Sequence, residues 1–269
     1  MWAKVALWGL SAVALSIAYS LRLQPLPRFS SGRTQLRATE TEAPQELFQQ
    51  AETGQDPYES FTRFEKLLFK RFADSVSQEL YGDSEGQFSA GDYALLMSQI
   101  NEMAVSRPLP RVNEQGRSML KRLFPSWLLP AFRVMFARPL PTFSLWMNSW
   151  VTLFTTQWLM GPSTIQDLEL DDGTMGKDQL LVVEKCRFLE TTGCVRTCLH
   201  TCKIPTQDFF AKDMGLPVTL KPNFTDYSCR FEFGNVPLPL EEDETIVSPC
   251  LAGCTQPTAS LDTRKPCRS

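Results

Sequence analysis

Cysteine is absent from the first 185 residues of this 269-residue chain, and all eight cysteines fall between residues 186 and 267. The only histidine is His200, and the sequence contains no Walker loop, no GxGxxG fingerprint and no HExxH motif. These absences give no support to the nucleotide-binding and zinc-protease classes that such motifs identify. Any thiol chemistry is therefore confined to the C-terminal third of the chain.

Acidic residues are also missing from two long stretches. Residues 1–39 contain five basic side chains and no Asp or Glu, and the same is true of residues 115–166. The formal net charge of −3 consequently hides an acidic body, because 22 basic and all 30 acidic residues follow residue 39. An acidic body argues against a nucleic acid as partner.

The N-terminal residues have the composition of a targeting leader. Residues 1–20 carry one charge, Lys4, ahead of an apolar run that is shorter than the ~20 residues of a membrane span. Residues 21–45 are rich in Arg, Ser and Thr, as transit peptides are. The two segments together predict a bipartite signal-plus-transit leader for plastid import. Ordinary secretion with a basic pro-region, and a retained anchor, are the alternatives.

Apolar spacing predicts a mostly helical, aromatic-rich region over residues 56–165. One helix is expected from Asp56, as N-cap, to Gly82. Further helices are expected over about residues 90–105 and 113–137, the second bent at its prolines.

The last helix of this region, residues 142–160, is uncharged and rich in aromatic side chains. Trp146, Trp150, Phe154 and Trp158 share one helical face and are the candidate substrate-binding residues. A core helix, a membrane-spanning helix and an aromatic groove with a basic rim are the three interpretations. The groove would suit a long apolar ligand and an anionic membrane surface.

The pattern changes from about residue 179 onward. QLLVVE is typical of a buried strand, the cysteine-rich helix is expected to end at KIP, and a hairpin is expected around Pro222–Asn223. The predicted fold class is therefore α+β, with the helical N-terminal part packed on a small Cys-rich α/β module over residues 179–269.

Three cysteines, Cys194, Cys198 and Cys202, recur at every fourth residue, which on a helix would direct their thiols to one side. Such a stripe suits a shared soft cation or an iron–sulfur cluster, which binds cysteine thiolates. His200 would lie on the opposite side of the helix. Four disulfides, a zinc site and buried thiols that only pack are the alternatives.

Several segments carry a family resemblance. EKCRFLETTGCVRTCLHTCKIPTQDFF, PNFTDYSC and PCLAGC resemble the C-terminal domain of the plant β-carotene isomerase family, the dwarf-twenty-seven proteins, and FTTQWLMGP is similar to the segment that precedes it. Members are plastid proteins, described as iron-containing, that interconvert all-trans and 9-cis carotenes. The resemblance implies a carotenoid substrate and iron, as an iron–sulfur cluster or with zinc as the alternative. The metal ligands that it implies are Cys186, Cys194, Cys198, Cys202 and Cys229, with Cys250 and Cys254 as additional candidates.

The predicted function is a carotenoid cis/trans isomerase with a Cys-ligated iron centre, in peripheral contact with plastid membranes and served by an electron donor. A carotene has no polar handle, so apolar and aromatic surface must hold it. One-electron exchange at iron would transiently lower the order of a polyene double bond. The alternatives are a non-catalytic iron–sulfur or zinc module that binds pigment or carries electrons, and a secreted, disulfide-stapled binding protein. The sequence identifies no catalytic side chain.

Overall fold

The computed structural model describes residues 61–82, 92–251 and 254. The predicted leader segments, residues 1–20 and 21–45, lie outside these residues. The N-terminal part of the described chain is helical. Its elements are α1 (Arg63–Tyr81), α2 (Tyr93–Ser106), α3 (Leu109–Arg122), the short α4 (Leu128–Phe132), which continues as a π-helical turn (Arg133–Ala137), and α5 (Pro141–Met160).

Helix α1 begins later than its sequence predicts. Thr62 is the N-cap, and its hydroxyl accepts a hydrogen bond from the backbone N–H of Glu65 at 3.2 Å. The Glu65 carboxylate in turn accepts from the Thr62 N–H at 2.8 Å, which completes a capping box. This reciprocal pair fixes the first turn at Arg63, whereas the predicted N-cap, Asp56, lies outside the described residues. The predicted end is confirmed at Gly82, whose φ is 87°.

A four-stranded antiparallel sheet forms the centre of the C-terminal part. Its strands are β1 (Ser163–Glu169), β2 (Met175–Val183), β3 (Val218–Pro222) and β4 (Cys229–Phe233), in the order β1-β2-β4-β3. The predicted buried strand lies in β2, and the predicted hairpin is the β3–β4 pair. Strand β4 lies between β2 and β3, so Cys229 pairs with Val183 on one side and with Pro222 on the other.

The cysteine-rich helix is longer than expected. After α6 (Arg187–Thr192), the chain is helical over residues 195–214, which we call α7. This run alternates between α-helix (Val195–Thr197, Ile204–Asp208) and π-helical turns (Cys198–Lys203, Phe209–Met214). The predicted end at KIP is therefore wrong. A π-helical turn just before Pro205 accommodates a residue that lacks the N–H of a regular α-helical interior.

The helical part and the C-terminal module share one core, as the α+β prediction requires. Helix α5 packs on β2, and α3 packs on α7. The closest approach is at Gly116, where an added Cβ would lie 2.7 Å from the Pro205 Cγ. Beyond β4, the chain forms a 3₁₀ turn, Glu244–Val247, near α7.

Candidate functional site

Four cysteines from separate parts of the C-terminal module lie near enough to interact electrostatically. Cys186 precedes α6, Cys198 and Cys202 lie in the first π-helical turn of α7, and Cys229 opens β4. Each of the last three interacts electrostatically with others of the set. We call these residues the thiol cluster. Cys186, Cys198 and Cys229 are each less than 9% exposed.

Burial is the main cause of the raised pKa values in the thiol cluster. It raises the pKa of Cys202 to about 12, with a further contribution from Cys186. The pKa values of Cys198 and Cys229 are also raised, first by burial and then by the neighbouring thiols. A desolvated thiolate is costly, so the cluster consists of neutral thiols at physiological pH.

Backbone pairing, not helical spacing alone, assembles the thiol cluster. The Cys186 N–H donates to the Tyr227 carbonyl at 2.7 Å. The β2–β4 register places Cys229 opposite Val183, three residues before Cys186. These bonds hold two thiols that are distant in sequence against the π-helical turn that carries the other two.

Tyr93 is part of this site, although no sequence pattern indicated it. Its side chain is buried, and its hydroxyl donates to the Leu159 carbonyl in the last turn of α5 at 2.8 Å. Burial raises the Tyr93 pKa, and Cys186 and Cys202 raise it further. Tyr93 therefore joins α2, the end of α5 and the thiol cluster. A lone tyrosine on an apolar helix carries no motif by which it could have been found.

Lys203 is a buried cation beside the thiol cluster, and the sequence analysis did not identify it. It is buried, and its Nζ lies 2.5 Å from the Asp243 Oδ2 and 2.6 Å from the Thr245 Oγ1. Its charge lowers the pKa values of Cys198 and Cys229, against the larger effect of burial. The ion pair also fastens the segment beyond β4 to α7.

Cys194, the first member of the predicted three-thiol stripe, is the N-cap residue before α7. It is buried and has extended backbone, with φ −135°. Its role as a metal ligand stays a prediction. His200 is directed toward α3, where its Nδ1 lies 2.8 Å from the Asn113 Oδ1. Burial, and secondly Arg196, lower the His200 pKa to about 4, so the imidazole is neutral. Cys250 and Cys254 are half-buried near the end of the described chain.

The described cysteines form neither disulfides nor a preformed metal site. No disulfide joins any two of the seven described cysteines. Across residues 61–82, 92–251 and 254, no three His, Cys, Asp or Glu side chains are arranged as a metal site. The donor chemistry nevertheless fits a soft metal, because the four cysteines interact with one another and ligation would remove their protons. The four cysteines are therefore candidate ligands.

Helix α5 buries small polar side chains as well as apolar ones, and three of its five aromatic side chains are exposed. Ser144, Asn148 and Ser149 are buried. The other side carries Phe143, Trp146, Trp150 and Phe154, which we call the aromatic face. Phe143, Trp146 and Phe154 are 44%, 39% and 49% exposed, and Trp150 is half-buried. The ring centroids of Trp150 and Phe154 are 5.8 Å apart in a stacked pair.

Hydrogen bonds to β2 and within α5 stabilise the buried polar side chains of this helix. The Ser149 hydroxyl donates to the Asp178 carbonyl at 2.5 Å, and the Asn148 amide donates to the Ser144 carbonyl at 2.7 Å. These small side chains allow α5 to lie close to the sheet, although the buried Ser144 hydroxyl has no hydrogen-bond partner within the described residues. Among the described helices, none is long and apolar enough to cross a bilayer.

Trp158 departs from the predicted set of substrate-binding residues. It is 5% exposed and packs edge-to-face on Phe69 and Phe72, with ring centroids 5.7 Å apart in both pairs. The core-helix interpretation thus holds for Trp158, while Trp146 and Phe154 are open to solvent.

A cleft of about 790 Å³ lies elsewhere, between α3, α4 and the end of α7. Five basic side chains and two acidic ones line it, together with apolar residues such as Leu129 and Val134. Arg117 forms a bidentate ion pair with Asp213 on its wall, at 2.7 and 2.9 Å. A charged lining of this kind does not suit a hydrocarbon ligand.

Comparisons with known proteins agree with this architecture. Residues 158–242, which include the whole thiol cluster, match the family "Beta-carotene isomerase D27-like, C-terminal". The chain is 30% identical to "Beta-carotene isomerase D27, chloroplastic" of Arabidopsis thaliana over 193 residues, which cover 71% of this chain and 72% of the relative. It is 37% identical to the Medicago truncatula protein of the same name over 138 residues, 50% of this chain and 52% of the relative. No solved structure matches the chain.

Both relatives are named chloroplastic, which confirms the predicted plastid localisation. The bipartite route to the plastid stays a prediction, because the leader lies outside the described residues. The extent and identity of the Arabidopsis match decide the family: this chain belongs to the β-carotene isomerase D27 family.

Proposed function

We propose that the chain is a carotenoid cis/trans isomerase that interconverts all-trans and 9-cis β-carotene. In this proposal, the aromatic face holds the polyene and the thiol cluster holds iron. The relatives named as β-carotene isomerases support the reaction. The observation that carries the proposal for this chain is the junction of helix α5 with the thiol cluster.

The aromatic face has the chemistry that a carotene requires. A polyene offers only apolar and π surface, so stacking and burial must provide its binding energy. Phe143 to Phe154 extend about 16 Å along α5, from the rise of 1.5 Å per residue, which accommodates several conjugated double bonds. The charged cleft between α3 and α4 is the poorer candidate, since a hydrocarbon would desolvate its ions without replacing their contacts.

The end of α5 connects the aromatic face to the thiol cluster. The Leu159 carbonyl accepts from Tyr93, which interacts electrostatically with Cys186 and Cys202. Gly161 follows, with φ 96°, and a Cβ there would lie 3.0 Å from the Lys185 carbonyl. Helix α5 therefore ends directly against the loop that carries Cys186, and a polyene on α5 would have one end near the thiols.

Cys186, Cys198, Cys202 and Cys229 are the proposed iron ligands. A thiolate-bound iron centre supplies single-electron exchange, which side chains alone do not provide. The chain's own contributions are electrostatic and steric. Lys203 offsets part of the negative charge of thiolates at Cys198 and Cys229. The burial of the cluster excludes water, which would otherwise intercept a reactive polyene.

Purified protein incubated with all-trans or 9-cis β-carotene in detergent micelles is expected to interconvert the two isomers. We expect Phe154→Ala to lower kcat/KM about tenfold, since a lost aromatic contact of ~1.4 kcal/mol in the transition state has that effect. Phe64→Ala is the matched control, because Phe64 is 53% exposed on α1 against 49% for Phe154. Chromatography of the isomers and thermal melts provide the readouts.

Three outcomes separate the hypotheses. Equal loss of activity in both variants would remove the aromatic face from the proposal. Iron-replete wild-type protein that isomerises neither isomer would contradict the enzyme and favour a non-catalytic module. Activity without bound iron would contradict the cofactor alone.

A second experiment distinguishes two sets of iron ligands: the thiol cluster, and the predicted stripe of Cys194, Cys198 and Cys202. We expect Cys229→Ser, Cys186→Ser and Cys198→Ser each to lose iron on anaerobic purification, because metal binding by a shared set fails when one thiolate is absent. Cys194→Ser is the control and is expected to retain most of its iron. Loss of iron in Cys194→Ser with retention in Cys229→Ser would instead support the three-residue stripe. Metal analysis per folded protein, with circular dichroism to verify the fold, gives the answer.

A further inference from the structure

We propose that the segment joining α3 to α5 is a docking surface for an anionic lipid bilayer. The docking surface consists of exposed apolar residues and adjacent basic ones. The apolar residues are Leu123, Trp127, Val134, Met135 and Leu140, and the basic residues are Lys121, Arg122, Arg133 and Arg138. This inference does not depend on the proposed isomerase activity.

The apolar half is unusually exposed for side chains of this size. Trp127, Val134 and Met135 are 64%, 63% and 53% exposed. On the inner side, Leu129 and Phe132 are buried, so the segment is anchored in the core and presents its other side outward. Large exposed apolar side chains grouped in one segment are typical of a site of interaction with a partner or a membrane.

Only part of the basic half is balanced by nearby acids. Residues 115–166 contain no Asp or Glu, but Lys121 pairs with Asp213 at 3.6 Å and Arg122 with Glu79 at 3.3 Å. Within the described part of the chain, Arg138 forms no ion pair, and the Arg133 guanidinium donates to the Lys212 carbonyl at 3.2 Å. Arg133, Lys121 and Arg122 also line the charged cleft, which opens beside Val134. The surface therefore combines positive potential with apolar side chains.

A bilayer is the occupant that fits both halves. Aromatic and aliphatic side chains enter the boundary between head groups and acyl chains, while adjacent Arg and Lys bind anionic head groups. A second copy of the chain fits less well, because a two-fold contact would place Arg133 and Arg138 of one copy near the same residues of the other. The short α4 and its π-helical turn would lie in the plane of the membrane.

The test uses the full chain and vesicles of phosphatidylcholine with about one quarter phosphatidylglycerol, a fraction that gives a negative surface potential. Hydrogen–deuterium exchange of the backbone is measured with and without vesicles. We expect slower exchange in peptides from residues 121–140, a local readout to which attachment by the leader does not contribute. Binding that leaves these peptides unchanged would overturn the proposal.

Flotation with the same vesicles tests individual side chains. Trp127→Ser/Met135→Ser is expected to lower partitioning about tenfold. Arg138→Gln is expected to lower it about fivefold on anionic vesicles and not on pure phosphatidylcholine. The control is Met175→Ser/Val236→Ser, since both side chains are 66% exposed and lie outside the docking surface.

An equal loss in the control pair, or unchanged flotation of the Trp127 variant, would contradict the docking surface. Sedimentation velocity distinguishes the remaining occupant. A wild-type dimer that becomes monomeric in the Trp127 variant, with no vesicle binding by either, would show that the face binds a second copy instead. Isomerisation in detergent micelles is a separate measurement, so either proposal can fail without the other.

Discussion

Replacing Asp243 by asparagine is expected to lower the free energy of unfolding by about 3–5 kcal/mol, the effect of removing one partner of a buried ion pair. Lys203 is 2% exposed, and Asp243 is the carboxylate at its Nζ, 2.5 Å away. Asparagine keeps the shape and leaves the ammonium with a neutral acceptor and the Thr245 hydroxyl. Urea denaturation at neutral pH measures the difference.

The pH dependence of stability has a defined sign. Burial raises the Asp243 pKa, but hydrogen bonds from Lys203 and Thr245 lower it more, so the net shift is downward from 3.8. The contribution of Asp243 is therefore complete above the unfolded pKa and is lost as the pH falls through the lower folded value. The asparagine variant should lack this acid-dependent loss.

A double variant provides the control for Asp243. Lys203→Met/Asp243→Leu is expected to recover most of the lost stability, since apolar side chains remove both charges. If Asp243→Asn unfolds at the same urea concentration as the wild type, the ion pair is solvated and contributes little. The same measurement reports on the segment beyond β4, which this pair fastens to α7.

Replacing Gly116 by alanine is expected to destabilise the protein by about 1–3 kcal/mol, as overpacking does. The new Cβ would lie 2.7 Å and 3.0 Å from the Pro205 ring and 3.2 Å from the Thr201 carbonyl. Helix propensity alone predicts the opposite sign, because alanine is favoured over glycine in a helix by about 1 kcal/mol. The sign of the change in urea midpoint therefore decides whether the contact between α3 and α7 is as close as described.

A double-mutant cycle gives the control for Gly116. Gly116→Ala combined with Pro205→Ala removes the nearest ring atom and is expected to recover part of the loss, which makes the two changes non-additive. Strict additivity, or stabilisation by Gly116→Ala, would mean that the two helices are further apart.

Local sequence patterns predicted individual helix ends and turns better than they predicted α7 and the thiol cluster. The end of α1 at Gly82 and the β3–β4 hairpin follow from turn residues and apolar periodicity. The continuation of α7 past Pro205 does not, because a π-helical turn removes the usual conflict between proline and helix. Likewise, Cys229 joins the thiol cluster through strand pairing with Val183, and no spacing rule contains that information.

Helix α5 shows the same limit in another way. Its periodicity identified a face with Trp146, Trp150 and Phe154, but periodicity does not tell which face is inside. The buried side of α5 combines Leu145 and Leu153 with small polar side chains, of which Ser149 donates to the Asp178 carbonyl on β2. Only the position of the sheet decides this, and the sheet is a product of the tertiary fold.

The hydrogen bonds between the two halves also determine when the chain can finish folding. Arg196 donates to the Ala104 carbonyl at 2.7 Å, and Thr197 donates to the Asn101 side chain at 2.5 Å, across 92 and 96 residues of sequence. During synthesis, α2 therefore cannot form these hydrogen bonds until α7 has been made. Contacts of such long range slow folding. A fragment limited to residues 158–242 would contain both donors without their acceptors, with buried polar groups left unsatisfied. The family-matched segment should consequently be produced together with α2 and α3.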